Sequence, residues 1–177
     1  MYCSLGRVYL KPGEIFFSDR HTVINTVLGS CVSITMYVPR LKAGIISHCI
    51  LPTALGAIKR GEDAMKYVDC AVLYMHKKMS GCGAEKRETE VKLFGGSAMF
   101  SVESETSGIG VKNVSAAESL LRSLGYCIMK SDTGGSYTRN LSFSLANGIV
   151  NIKRTTVFQD ETSVCSIRGR LLAIFPE

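Results

Sequence analysis

Apolar and polar positions along this chain alternate in short runs more often than they recur at helical spacing. Residues 8–17 (VYLKPGEIFF) hold two apolar stretches separated by a Pro-Gly turn. Residues 22–38 (TVINTVLGSCVSITMYV) form a β-rich run. From Val32 onward Val32, Ile34, Met36 and Val38 alternate with Ser33, Thr35 and Tyr37, the period of two of a half-buried strand. After the break PRLK comes AGIISHCILP, a second strand ended by Pro52, and the two read as a hairpin. Residues 62–79 place Ala64, Met65, Val68, Ala71, Val72, Met75 and Met79 on one stripe, which predicts a helix with one core-facing side. Residues 90–94 predict a strand running into Gly95-Gly96. Ser115 and Glu118 have capping-box spacing, and Leu120, Leu121 and Leu124 continue a short helix that Gly125 stops. Further strands are expected at 126–130, 141–145, 149–154 and 171–175, with turns at Gly134-Gly135 and Asn147-Gly148. Two main helices against mostly antiparallel strands predict an α+β sandwich, and nothing alternates strand and helix as a parallel doubly wound sheet requires. No linker or repeat divides residues 1–177, which read as one domain.

Composition narrows the classes. With 177 residues, 46% hydrophobic and 20% charged, the chain is globular in type and long enough to bury a core. No apolar run is long enough to insert in a membrane. The opening MYCSLGRVYLKPGE lacks the apolar region and cleavage site of a signal peptide, so a cytoplasmic location is expected. Seven cysteines, an odd number with no CxxC pair, then read as reduced thiols rather than a disulfide set. Three histidines, and no cysteine at ligand spacing from another, argue against a metal. The net charge of +6 favours acidic partners. Nucleic acid is a poor candidate, because the basic residues are scattered, Trp is absent and no aromatic–basic stripe exists.

Candidate chemistry lies in LGSCVSITMYVPRLKAGIISHCILP, residues 28–52. If Val38 pairs with Ala43, Cys31 falls opposite Ile50 and His48 becomes a diagonal neighbour on the same face. Such neighbours sit about 7–8 Å apart at Cα. A nearby imidazole activates a thiol, so Cys31 is expected to have a lowered pKa. Gly29 and Ser30 suit a tight backbone whose N–H groups stabilise an oxyanion. Spacing alone permits this dyad without deciding it, since a strand cysteine is more often a packed residue. Cys49 should face the opposite side and belong to the core. Gly95 and Gly96 lack the Lys-Ser/Thr ending of a phosphate loop, which leaves them as structural or substrate-binding residues. Asp132, Gly134, Gly135 and Arg139 read foremost as a tight turn capped by Asp132, with direct substrate contact as the second option.

VYLKPGE at 8–14, TVLGSCVSITMYVP followed by ISHCILP, GGSAMF at 95–100, IGVKN at 109–113 and DTGGSYTRN at 132–140 follow the order of a known family. Over nearly its whole length the chain resembles the chemoreceptor glutamine deamidases called CheD. The resemblance implies an α+β fold similar to the CheD and cytotoxic necrotizing factor deamidase architecture. It implies a nucleophile at Cys31 and a catalytic histidine at His48. The family's threonine, six residues before the cysteine, falls on Asn25, with Thr26 one residue later. Asn25 shares strand parity with Cys31 and is expected to orient the imidazole, whereas Thr26 serves only if the backbone is irregular there. The implied activity is hydrolysis of glutamine side-chain amides in methyl-accepting chemotaxis receptors, which are helical bundles, through a thioester and without metal or organic cofactor. A CheC-type phosphatase is an implied further partner. The rival from another class is a regulatory module that binds receptors or a CheC-type phosphatase without turnover.

Overall fold

A computed structural model describes residues 6–55, 63–98 and 108–156. The strands are β1 (Gly6–Tyr9), β2 (Ile15–Ser18), β3 (Thr22–Leu28), β4 (Val32–Val38), β5 (Ala43–Ser47), β6 (Glu90–Gly95), β7 (Ile128–Thr133), β8 (Tyr137–Ser144) and β9 (Val150–Thr156). Two α-helices accompany them among the described residues, α1 (Val68–Gly81) and α2 (Ile109–Ser123). One sheet has the order β1-β3-β8-β9 and the other β2-β5-β4-β6-β7. The pairs β1–β3 and β6–β7 are parallel, while the remaining neighbours run antiparallel, as expected of an α+β sandwich.

Three layers result. Ile34, Met36, Ile45, Val91 and Leu93 of the second sheet pack on Val72 and Met75 of α1 and Leu121 of α2. On its other face Tyr37, Ile46 and Phe94 meet Ile24, Leu28, Leu141 and Phe143 of the first sheet. Each such side chain, fully buried, contributes about 1.5–3 kcal/mol. The central sheet is thus covered on both sides. That corrects the expectation of a half-buried β4: its seven residues are all buried, because the face bearing Ser33, Thr35 and Tyr37 is turned to the first sheet rather than to water.

Other boundaries shift for physical reasons. The run 22–38 is two strands in different sheets, with a bend at Gly29 and Ser30. The first helix starts at Val68, after a short 3₁₀ turn at Ala64–Lys66 whose Met65 N–H is capped by Asp63. The second helix starts at Ile109, so Ser115 is exposed in mid-helix and caps nothing. Gly110 and two valines weaken helical propensity over 109–114, but Gly110 packs against Gly96 and tertiary contact overrides propensity. Gly125, at φ 81°, ends the helix as expected. The hairpin β4–β5 has the expected register, Val38 opposite Ala43, and the same register continues to a bridge between Val32 and Cys49. The strand expected at 171–175 lies outside the described residues.

Candidate active site

Residues 29–31 carry the chain from one sheet to the other, and three residues from two segments hold their carbonyls. Ser97 N–H donates to Gly29 O at 2.9 Å and Gly96 N–H to Cys31 O at 2.8 Å. Asn113 Nδ2 donates to Ser30 O at 3.1 Å. Gly95 has φ 107°, and a Cβ there would collide with the Cys31 carbonyl. Only glycine allows β6 to approach the cysteine this closely. Beyond the bend Cys31 packs, half-buried, against the apolar cluster between the sheets.

His48 follows β5 on the side of Ile46, toward the same inter-sheet space, and is 2% exposed. Its backbone is clamped on both sides, with His48 N–H donating to Glu14 O at 3.0 Å and Gly13 N–H to His48 O at 2.8 Å. Its Nδ1 lies 2.7 Å from Thr26 Oγ1, and Thr26 Oγ1 donates to Leu10 O at 2.8 Å. A hydroxyl has one hydrogen. Because Thr26 spends it on Leu10, Nδ1 must carry the ring proton and donate to Thr26. The neutral ring therefore keeps its lone pair on Nε2, which is buried and has no hydrogen-bond partner among the described residues.

The electrostatics reverse one expectation. Burial pushes the Cys31 thiol up, with its own backbone N–H pulling the other way. Burial likewise lowers His48, partly offset by the Leu10 carbonyl and the Glu14 charge. Desolvation disfavours the charged form of each group. The resting pair is neutral thiol and neutral imidazole, not the lowered thiol that spacing suggested.

Asn25 is also corrected. Strand β3 alternates, with Ile24, Thr26 and Leu28 buried inward and Asn25 and Val27 turned outward. Asn25 opens onto a groove on the outer face of the first sheet with Tyr9, Asn140, Ser142 and Lys153. The parity that grouped Asn25 with Cys31 assumed one continuous strand, and the bend at 29–31 inverts it.

Comparison with known proteins adds an independent line. A family model described as CheD chemotactic sensory transduction matches residues 50–154. The "Probable chemoreceptor glutamine deamidase CheD 2" of Geobacter sulfurreducens is 38% identical over 150 residues, 85% of this chain and 91% of its own. Relatives named "Probable chemoreceptor glutamine deamidase CheD" are 40% identical in Maridesulfovibrio salexigens, over 85% of this chain and 92% of theirs, and 42% in Pyrococcus horikoshii, over 86% and 94%. The chain belongs to the CheD family.

The glycine-rich motif of this CheD chain is built around one buried arginine. Arg139 is 0% exposed; its Nε and one terminal nitrogen donate to Asp132 Oδ1 at 3.0 and 2.9 Å. The other terminal nitrogen reaches Ser97 Oγ at 2.6 Å. Asp132 also pairs with Arg154 at 2.9 Å. Burial pushes the Asp132 carboxyl up, but the two arginines outweigh it and hold it below its ordinary value. Gly134 and Gly135 adopt the expected left-handed turn, at φ 72° and 73°. Asp132 was expected to cap that turn; its hydrogen bonds go to Arg139 and Arg154 instead, and Ser97 passes the anchorage to Gly29.

Cys49 is core, 0% exposed on the helix side, with its thiol pushed up to about 12 by burial. Among the described residues no three His, Cys, Asp or Glu side chains come together to hold a metal ion. Sequence reasoning missed Leu10, whose contribution is a carbonyl and leaves no side-chain signal. It also missed Asn113. A signal for that residue existed, because Asn113 shares the buried stripe of α2 with Gly110, Ala117 and Leu121.

Proposed function

We propose that this CheD-family chain is a cytoplasmic cysteine amidohydrolase, active over its length as one domain, that converts specific glutamines of methyl-accepting chemotaxis receptors to glutamate. The Cys31 sulfur attacks the side-chain amide carbon as His48 Nε2 takes the thiol proton. The oxyanion sits against N–H groups of the Gly29–Cys31 bend. His48 returns the proton to the departing nitrogen, ammonia leaves, and a thioester remains. Water, deprotonated by His48, hydrolyses that thioester and regenerates the thiol. Thr26 holds the ring in the required tautomer.

The observation that carries this reading is the Leu10–Thr26–His48 chain of hydrogen bonds, which leaves a buried, unpartnered lone pair at Nε2 on the segment that pairs, through Val32 and Cys49, with the one bearing Cys31. The names of the relatives supply the substrate class. No helix of the described residues is long and apolar enough to cross a membrane. The net charge of +6 suits docking on acidic surfaces of a receptor or of a CheC-type phosphatase. A non-catalytic module would be favoured if asparagine took the place of the family's threonine beside the histidine, but Thr26 makes that contact.

Mass spectrometry of a purified receptor signalling bundle incubated with the protein tests the assignment. Deamidation at discrete glutamines is expected with the native chain and none with Cys31→Ala. An unchanged receptor would overturn it.

A pH profile follows from the neutral pair. His48 must be unprotonated to act as base, and burial lowers it from its ordinary 6.5. The acid limb of kcat/KM should therefore lie below pH 6.5, with full activity above it. Once Cys31 has lost its proton to solvent, His48 has none to return to the departing nitrogen, so a basic limb is expected as the thiol titrates, above its ordinary 9.0. A limb clearly above 6.5 would mean that His48 rests as an imidazolium.

A further inference from the structure

We propose that Asn113 is a positioning residue for the nucleophile, tying the Ser30–Cys31 peptide to the segment after His48 and holding the Cys31 N–H on the thiol side. The proposal rests on Cys31 being the nucleophile.

Asn113 is 0% exposed on a helix stripe where packing alone asks for an apolar side chain. Its Nδ2 donates to Ser30 O at 3.1 Å and to Ile50 O at 2.9 Å, which uses both amide hydrogens. Its Oδ1 is buried without a partner among the described residues. A buried amide with an unpaired oxygen is costly to keep. The compensation lies in what Nδ2 connects.

The place of that connection matters. Backbone pairing between the Cys31 and His48 segments ends at Val32 and Cys49, where the two residues exchange hydrogen bonds of 3.0 and 2.8 Å. One step further the ladder is broken, because Ile50 N–H turns to Lys66 O at 2.8 Å. Cys31 and Ile50 would be the next pair. Asn113 bridges that gap, so the segments bearing the two reacting groups remain joined where the strands part.

The clamp also sets a direction. In a trans peptide the carbonyl and N–H point opposite ways, and the described residues contain no cis bond. With Ser30 C=O held by Asn113, the N–H of the same peptide, that of Cys31, points away from the helix. Hydrogen bonding at the carbonyl also polarises that N–H. The same N–H opposes the upward push of burial on the thiol. Losing the clamp should thus leave a thiol harder to ionise.

The test is the pH dependence of Cys31 alkylation by iodoacetamide, read by mass spectrometry, alongside receptor deamidation kinetics and thermal melting. Asn113→Leu keeps the branched shape, though larger, and removes the donor; Asn113→Ala removes both. In a folded variant the alkylation midpoint should rise by about one pH unit. Its kcat should fall roughly tenfold or more, with KM little changed. An unshifted alkylation profile in a folded variant would overturn the proposal, as would failure of both variants to fold, which would make the amide a structural clamp only. If the native protein deamidates nothing, the alkylation shift still reads the positioning effect, so the two failures are distinguishable.

Discussion

Replacing Cys31 by alanine is expected to reduce receptor deamidation to background, a loss of roughly 10⁶-fold if nucleophile and base act as one unit. His48→Gln should lose nearly as much, and the double variant little more, because neither group works without the other. Stability should change little in Cys31→Ala. The side chain is half-buried at the rim of the inter-sheet cluster, and its backbone is held by Gly96, Ser97 and Asn113 rather than by its thiol. No neighbouring cysteine substitutes for it. Cys49 lies next to His48 in sequence but faces the helices, with a thiol pushed up to about 12. Time courses of deamidated receptor peptides, with melting curves of each variant, decide the matter. A Cys31→Ala protein that keeps measurable turnover would remove the cysteine from the chemistry.

Thr26→Val is expected to lower kcat by about 10²- to 10⁴-fold with KM nearly unchanged. Valine keeps the shape but neither accepts from His48 Nδ1 nor donates to Leu10 O. The ring then loses its preference for the tautomer that exposes Nε2. Two buried polar groups also lose their partner, which costs about 1–3 kcal/mol each, so melting must be followed in parallel. Thr26→Ser, which retains the hydroxyl, should recover most of the activity. Asn25→Ala should behave as the native protein, since Asn25 faces the groove on the outer sheet surface. Full activity in Thr26→Val, or a collapse in Asn25→Ala, would reverse the assignment.

The two cases show what kind of information a sequence carries. The hairpin of β4 and β5 was legible because a break of four residues between alternating runs leaves few registers, and the observed pairing of Val38 with Ala43 brings His48 to the side of Cys31. The α+β class, the turn at Gly134-Gly135 and the stop at Gly125 were legible for the same reason, as all depend on residues close in sequence. Alternation said that β4 has two faces but not that both are covered, since the covering layer comes from β3 and β8 elsewhere in the chain.

What the sequence by itself determined is therefore local: the strand and turn periods, the pair Cys31 and His48 on neighbouring strands, and family motifs in their order. Only the tertiary structure decided which residue touches the imidazole. Within one strand parity is a reliable guide, but residues 29–31 pass from one sheet to the other, and a bend between sheets resets which side chains point inward. The same crossing explains why Asn113, more than eighty positions from Ser30, and the carbonyl of Leu10 escaped notice. It also decided the charge state of the pair. Proximity of thiol and imidazole predicts a lowered thiol, whereas enclosure between two sheets removes the water that ions need, and at Cys31 and His48 desolvation prevails.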